Sequence, residues 1–156
     1  MSNSTKSEPI TGPAPEGAGP CYVHGTTVAW GPGAVLILGA SGSGKSALAL
    51  ELMALGCVLV SDDQTELQRQ GAVLRATAPA PLRGMIEARH VGLLAAEVQE
   101  SAIVTLVVDL SQVEAERLPP EHKHHLLGLE LPLLYAVHAG YFPAAILQYL
   151  KGARRA

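Results

Sequence analysis

The stretch that decides the fold is AVLILGASGSGKSALALELMALG, residues 34–56. Residues 34–38 form a continuous apolar run, which is typical of a strand buried on both faces. Residues 47–56 place Leu48, Leu52 and Leu55 at helical spacing and end at Gly56, a residue that suits a left-handed helix C-cap. The stretch therefore predicts a strand, a glycine-rich loop and a helix in direct succession.

The loop between these two elements, GASGSGKS, matches the pattern G-x-x-x-x-G-K-[ST] at every fixed position. Between a strand and a helix, the backbone N–H groups of such a loop form a concave anion site at the positive end of the helix. We expect Lys45 to reach the outer phosphates of a bound ligand and the Ser46 hydroxyl to bind Mg²⁺. The predicted phosphate-binding residues are Gly39, Ala40, Ser41, Gly42, Ser43, Gly44, Lys45 and Ser46.

The remaining segments predict a single α/β domain over residues 21–156. Strand-like runs occupy residues 21–30, 58–61, 103–110 and 129–137, and TELQRQGAVLRAT at 65–77 suggests a hairpin around Gly71. Residues 111–125 have the composition of a polar connection, and 142–156 predict a closing helix. Residues 1–20 are rich in Ser, Thr, Gly, Pro and Glu, which predicts a disordered tail.

Composition excludes several classes of partner. The net charge is −3 and no run of Lys or Arg is present, so we expect no nucleic-acid partner. No stretch reaches the roughly 18 apolar residues of a membrane span, and the N-terminus lacks a secretory apolar core. The two cysteines are far apart, which favours reduced thiols and a cytoplasmic location. With 48% hydrophobic and 16% charged residues, the chain is a plausible homo-oligomer.

A phosphate-binding loop does not define a reaction, and the candidate acids are few. Asp62 and Asp63 follow the apolar run VLVS, and Asp109 follows TLVV. In the adjacent pair, one carboxylate could hold a metal ion or its water while the other accepts a proton from a hydroxyl nucleophile. Spacing alone leaves open the alternative that the pair is a solvated turn at the end of a strand.

Residues 24–67 carry a resemblance to the catalytic domain of the HPr kinase/phosphorylase family. The ordered features are an HG step at 24–25, the phosphate-binding loop, the DD pair and a Glu-x-Arg segment at 87–89. The resemblance covers about residues 22–94 and weakens beyond them. It implies an ATP-dependent, Mg²⁺-requiring kinase that phosphorylates a serine of HPr, a small phosphocarrier protein. It also implies a nucleotide domain similar to that of phosphoenolpyruvate carboxykinases, and a hexamer.

The same resemblance implies roles for individual residues. His24 matches the family's active-site histidine, and Lys45 and Ser46 match its phosphate-binding lysine and Mg²⁺-binding serine. For the acid pair, Asp63 is assigned the proton transfer and Asp62 is oriented toward the metal. EARHVG at 87–92 resembles the family segment EIRGLG, which makes Glu87 a second Mg²⁺ ligand. Arg89 then contacts a phosphate or a neighbouring subunit.

The chain also departs from the family pattern. His90 replaces a glycine of the family segment, and the chain is too short to hold the family's additional N-terminal domain. The family's arginine-containing C-terminal loop, which is linked to dephosphorylation, has no clear match in residues 131–145. The kinase reaction is therefore better supported than the phosphorylase reaction.

Two other functions stay open at this point: a small-molecule kinase, and a regulatory module that binds ATP without transferring its phosphate. HKHH at 122–125 lacks acids or cysteines at metal-binding spacing and is interpreted as a solvated loop. Asp109 is interpreted as a helix N-cap or an acid at the end of a strand. The sequence contains no recognisable adenine pocket.

Overall fold

The structure is a computed structural model that describes residues 19–156. The predicted tail at 1–20 lies outside the described residues except for its last two. The helices are α1 (Lys45–Ala54) and α2 (Phe142–Gly152), and a 3₁₀ turn spans Ala80–Leu82. The strands are β1 (Cys21–Val23), β2 (Gly25–Trp30), β3 (Gly33–Leu38), β4 (Val58–Ser61), β5 (Thr65–Gln70), β6 (Val73–Thr77), β7 (Met85–Ala88), β8 (Gly92–Ala95), β9 (Ser101–Val113), β10 (His122–Leu126) and β11 (Leu129–Ala136).

Nine of the strands form one mixed sheet that curls around strand β9. Seven strands follow the order β1-β5-β6-β9-β3-β2-β4, while β11 pairs with β9 and β10 pairs with β11. The pairs β3–β9 and β9–β11 are parallel, and the others are antiparallel. The first residues of β9 pair with β6 and its last residues pair with β11. On this side of β9 the sheet therefore has two branches, one that continues through β6 and one that continues through β11. Strands β7 and β8 form a separate hairpin.

The core lies on both faces of the sheet, which explains the uninterrupted apolar run of β3. Ala34 and Leu36 belong to a cluster enclosed by the curled sheet, whereas Val35 and Ile37 pack on the side of the helices. Leu52 of α1 is fully buried in this second cluster. Burial on both faces is what a parallel central strand requires.

Most of the predicted elements are present. The strand-like run at 21–30 forms two consecutive strands, β1 and β2, the predicted hairpin is β5–β6, and the closing helix is α2. The predicted end of the helix is confirmed, because α1 ends at Ala54 with Leu55 as its C-cap and Gly56 follows with a φ of 112°. Leu55 itself is 45% exposed and adds little to the core. In the described part of the chain, neither helix has the length and apolar character needed to cross a membrane.

The prediction of a polar connection at 111–125 with a solvated HKHH loop is wrong. Strand β9 continues to Val113, and HKHH opens β10, which pairs with β11. His122 and His124 are half-buried, whereas Lys123 and His125 are exposed. The His122 ring stacks on Tyr135, with 4.1 Å between ring centroids. Burial alternates from residue to residue along HKHH, and this period of two is that of a β-strand.

Asp109 is also placed differently from its prediction. It lies within β9, between Leu38 of β3 and Tyr135 of β11, and not at the end of the strand. Its Oδ1 accepts hydrogen bonds from the N–H (2.9 Å) and the hydroxyl (2.6 Å) of Ser111. Ser111, two residues further along β9, therefore supplies the hydrogen bonds to Oδ1, and Asp109 caps no helix.

Candidate active site

The phosphate-binding loop joins β3 to α1 with its backbone amides at the N-terminus of the helix. Gly44 is the N-cap residue, with φ of 100°, a left-handed conformation that glycine adopts without strain. No side chain caps this helix, and no acidic residue lies in its first turn. The first N–H groups of α1 are therefore left for an anion, in the positive field of the helix end.

Gly39 shows how tightly the loop is folded. A Cβ added at this position would lie 2.5 Å from Oγ of Ser43, so only glycine fits. The N–H of Ser43 donates to the carbonyl oxygen of Ala40 at 3.0 Å. Oγ of Ser43 is buried and has no hydrogen-bond partner in the described residues.

Lys45 is a buried cation held against the loop. Its side chain is only 5% exposed, and Nζ donates to the carbonyl oxygens of Gly39 (2.9 Å) and Ala40 (3.1 Å). Burial lowers the pKa of Lys45, while the nearby carboxylates of Asp63 and Asp62 oppose that shift. An ammonium group has three N–H donors, so at least one remains for a phosphate bound in the loop.

Asp62 is the buried member of the acid pair, with 7% of its surface exposed. Its Oδ1 accepts hydrogen bonds from the hydroxyls of Ser46 (2.6 Å) and Thr26 (3.0 Å), and its Oδ2 accepts the N–H of Glu87 (3.0 Å). These bonds fix the orientation of the carboxylate against the first turn of α1. Because Ser46 donates its proton to Asp62, its oxygen lone pairs stay available to a cation.

Asp63 faces the opposite way and is exposed. Its φ is 69°, and its backbone N–H donates to Oγ1 of Thr26 at 3.1 Å. Its Oδ1 lies 2.8 Å from Nε2 of His24, and the two side chains are 70% and 45% exposed. The left-handed backbone at Asp63 thus separates two adjacent acids into one buried against Ser46 and one open to solvent beside His24.

A cavity of about 360 Å³ connects the loop to Asp63 and to the β7–β8 hairpin. Asp63, Glu87 and Arg89 line it together with residues of the loop. Nη1 of Arg89 lies 3.8 Å from where a Cβ of Gly42 would be. The predicted site residues that line this cavity are Ser41, Gly42, Gly44, Lys45, Ser46, Asp63, Glu87 and Arg89. The others adjoin it through the hydrogen bonds above: Gly39, Ala40 and Ser43 in the loop, His24 at Asp63, and Asp62 at Ser46.

The donors around Ser46 fit Mg²⁺ bound together with a phosphate. Within residues 19–156, no group of three or more His, Cys, Asp or Glu side chains could hold a metal ion. Mg²⁺ usually keeps several waters and binds one or two carboxylates plus substrate phosphates, so it needs no such group. Ser46 and Glu87 line the cavity and can offer side-chain oxygens there, and Asp62 adjoins it through its hydrogen bond with Ser46.

Thr26 contacts both candidate acids, and the sequence analysis assigned it no role. It is fully buried in β2, and its hydroxyl donates to Asp62 and accepts from the N–H of Asp63. One side chain therefore sets the positions of both acids. The only sequence signal is a polar residue in a strand buried on both faces, directly after the HG step.

We expect Thr26→Val to lower the rate of any reaction at this site, because the exchange removes the hydroxyl and nearly keeps the volume. It leaves the N–H of Asp63 without its acceptor, at a cost to folding of ~1–3 kcal/mol. Thr27→Val is the matched control, since the Thr27 hydroxyl bonds to Thr65 at 2.9 Å and touches neither acid. Denaturant unfolding should show a loss of stability in both variants, whereas turnover should fall only in Thr26→Val. Equal turnover in the two variants would show that Thr26 is merely structural.

Comparisons with known proteins match this arrangement. The model of the HPr Serine kinase C-terminal domain matches residues 18–145. The HPr kinase/phosphorylase of Caldicellulosiruptor bescii is 38% identical over 125 residues, covering 71% of this chain and 40% of the relative. That of Alkaliphilus metalliredigens is 36% identical over 110 residues, covering 62% of this chain and 36% of the relative. The chain thus spans about two fifths of the length of these relatives.

A solved structure shares the fold. The Hpr(Ser) kinase/phosphatase from Coxiella burnetii matches with a TM-score of 0.69 and 24% sequence identity, covering 83% of this chain and 87% of that one. The predicted α/β fold class is therefore confirmed. The family match includes the phosphate-binding loop, both acids and the β7–β8 hairpin, so the resemblance found in the sequence is confirmed too. The chain belongs to the HPr serine kinase C-terminal domain family.

Proposed function

We propose that the protein is an ATP-dependent, Mg²⁺-requiring kinase that phosphorylates a serine of an HPr-like phosphocarrier protein. The observation that carries this proposal is the position of Asp63. This exposed carboxylate lies in the same cavity as Lys45 and the amides of the phosphate-binding loop. A group able to accept a proton would thus lie beside the outer phosphate of a nucleotide bound in the loop.

The residues divide the chemistry between them. The loop amides and Lys45 bind the phosphates and stabilise the charge that develops on the transferring group. Bound Mg²⁺ neutralises phosphate charge, and Ser46, Asp62 and Glu87 are the residues that would hold it. The serine oxygen forms the new bond to the γ-phosphorus, the bond from that phosphorus to the β–γ bridging oxygen breaks, and the serine proton passes to Asp63. His24 orients Asp63 through the 2.8 Å hydrogen bond.

The surroundings of the cavity favour a protein as the acceptor. The β7–β8 hairpin carries Glu87 and Arg89 at the cavity, and beyond them Val91 and Leu93 are 73% and 69% exposed. Apolar side chains next to a reaction site suit contact with another macromolecule. A small metabolite bound in the cavity would not contact these two side chains.

A transfer assay with radiolabelled ATP tests this function. The protein is incubated with Mg²⁺ and either the HPr-like protein of the same genome or a panel of hydroxylated metabolites. We expect label on a serine of the HPr-like protein alone. Label on a metabolite would indicate a small-molecule kinase, and ATP binding without any transfer would indicate a sensing module.

We predict that the reverse reaction, attack of inorganic phosphate on the phosphoserine, is weak. That reaction must hold two anions side by side, which needs additional cations. The cationic side chains lining the cavity are those of Lys45 and Arg89. Arg154 is engaged elsewhere, where it donates to the carbonyl oxygens of Pro119 and Ala156. Pyrophosphate release from the phosphorylated partner, in excess phosphate, measures this activity, and a rate close to that of the forward reaction would contradict the prediction.

The family resemblance extends the proposal to the assembly and its location. We infer a cytoplasmic homo-oligomer, a hexamer by resemblance, with no nucleic-acid or membrane partner. Light scattering of the purified protein measures the mass of the assembly directly. A monomer at working concentration would contradict this inference without touching the proposed chemistry.

A further inference from the structure

A second recess, of about 240 Å³, lies on the other side of the N-terminus of α1. Ser43, Gly44 and Ala47 form its wall on the side of the loop. The rest of the lining comes from Leu48 and Glu51 of α1, Leu110 near the end of β9, residues 136–139 at the end of β11 and after it, and Phe142 and Pro143 at the start of α2. The recess is therefore built where the carboxyl ends of two parallel strands meet the phosphate-binding loop, a common position for ligands in α/β folds.

The residues that the two cavities share indicate how a nucleotide would be oriented between them. In loops of this type the amides hold the α- and β-phosphates, and the lysine reaches the β- and γ-phosphates. Lys45 and Asp63 line the first cavity but not the recess, whereas Gly44 and Ala47 line both. The γ-phosphate of a nucleotide bound in this way would therefore lie in the first cavity. The chain of phosphates then leads across Gly44 and Ala47 toward the recess.

The chemistry of the recess suits a flat aromatic ring. Leu110, Val137 and Phe142 provide apolar surface, and Phe142 is itself only 6% exposed. Glu51 and His138 are exposed polar residues of the same lining. Small-molecule sites typically combine such an apolar lining with a few polar groups that fix orientation. A nucleobase has this pattern, with apolar faces and a polar edge.

We propose that this recess binds the nucleoside of the nucleotide, with the base packed against Leu110, Val137 and Phe142. The site rests on the proposed function, since it takes the phosphates to lie in the loop. It gives the nucleotide a base-binding site formed by α1, the end of β9 and the β11–α2 connection.

The test compares ATP with inorganic triphosphate, which lacks a nucleoside, by calorimetric titration in the presence of Mg²⁺. Ala139→Leu fills the recess, and we expect it to weaken ATP binding by about tenfold or more while triphosphate binding stays unchanged. Ala144→Leu is the matched control, because Ala144 is exposed on α2 and does not line the recess. It should change neither affinity. Phe142→Leu keeps the core apolar and should also weaken ATP selectively, which covers the case in which Ala139→Leu fails to fold.

The outcomes separate the two proposals. An equal loss of ATP and triphosphate affinity in the recess variants, or no loss of either, would overturn the nucleoside site while leaving the phosphate-binding loop in place. A wild-type protein that binds neither ligand would overturn the proposed function and this site with it. Selective loss of ATP supports both.

Discussion

Replacing Lys45 with alanine is expected to remove ~2–4 kcal/mol of transition-state stabilisation, the scale of losing one preorganised electrostatic donor. The ammonium group is buried against the loop, where little water competes with a phosphate for it. Its charge therefore counts for more than that of a surface lysine. Measuring kcat and KM for ATP in the transfer assay separates lost chemistry from lost binding.

Lys123→Ala is the matched control for this substitution. Lys123 is exposed on β10, and its nearest acid is Glu121 at 3.9 Å, a surface pair that contributes little. Both variants should unfold at temperatures near that of the wild type, since the bonds from Lys45 go only to loop carbonyls. Unchanged turnover in a folded Lys45→Ala protein would refute the assignment of the phosphate-binding loop.

The parts of the site that could be predicted from the sequence are those made by local chain geometry. The glycines of the loop, the apolar run before it and the helical spacing of leucines after it all lie within about 20 residues. These local signals determine the backbone conformation of the loop between β3 and α1. The fold class followed from the same stretch, because a strand buried on both faces needs neighbours on either side. Pairing β3 with β9 and β2 meets that need.

The parts that could not be predicted depend on residues far apart in the chain. Thr26 reaches Asp62 across 36 positions, and His24 reaches Asp63 across 39. Only the pairing of β2 with β4 creates these contacts, and no periodicity in the sequence encodes it. The role of His24 was implied by the family resemblance, whereas Thr26, which lies outside the four ordered features of that resemblance, was assigned no role.

Strand β10 was missed for a different reason. His122 and His124 are the half-buried residues of this strand, but both are polar. The alternation of apolar and polar residues that usually indicates a strand is therefore absent. The stacking of His122 on Tyr135, and its 2.9 Å contact with Glu114, supply the packing that aliphatic residues usually provide. The recess could not be predicted either, because three segments far apart in the chain form it: the loop with α1, the end of β9, and the connection from β11 to α2. Two of its residues, Gly44 and Ala47, also line the first cavity.

Asp63→Asn is expected to reduce phosphoryl transfer by about 10²- to 10⁴-fold, the usual contribution of a positioned general base, while ATP affinity stays near that of the wild type. Asparagine adopts the left-handed backbone that Asp63 requires, with φ of 69°, and it has the same size. Its side-chain oxygen can still accept a hydrogen bond from His24. The substitution therefore removes the proton acceptor and little else, so the loss should appear in kcat.

Asp109→Asn is the control, since Asp109 is the remaining aspartate of the chain. It pairs with Leu38, the residue before the loop, but its carboxylate is bonded to Ser111, and an amide oxygen can accept the same bonds. We expect a small effect on transfer. If Asp109→Asn were inactive and Asp63→Asn active, the proton acceptor would lie on β9 and not after β4. The hydrogen bond between His24 and Asp63 would then be structural, and the acceptor serine would have to approach the loop from the side of β9.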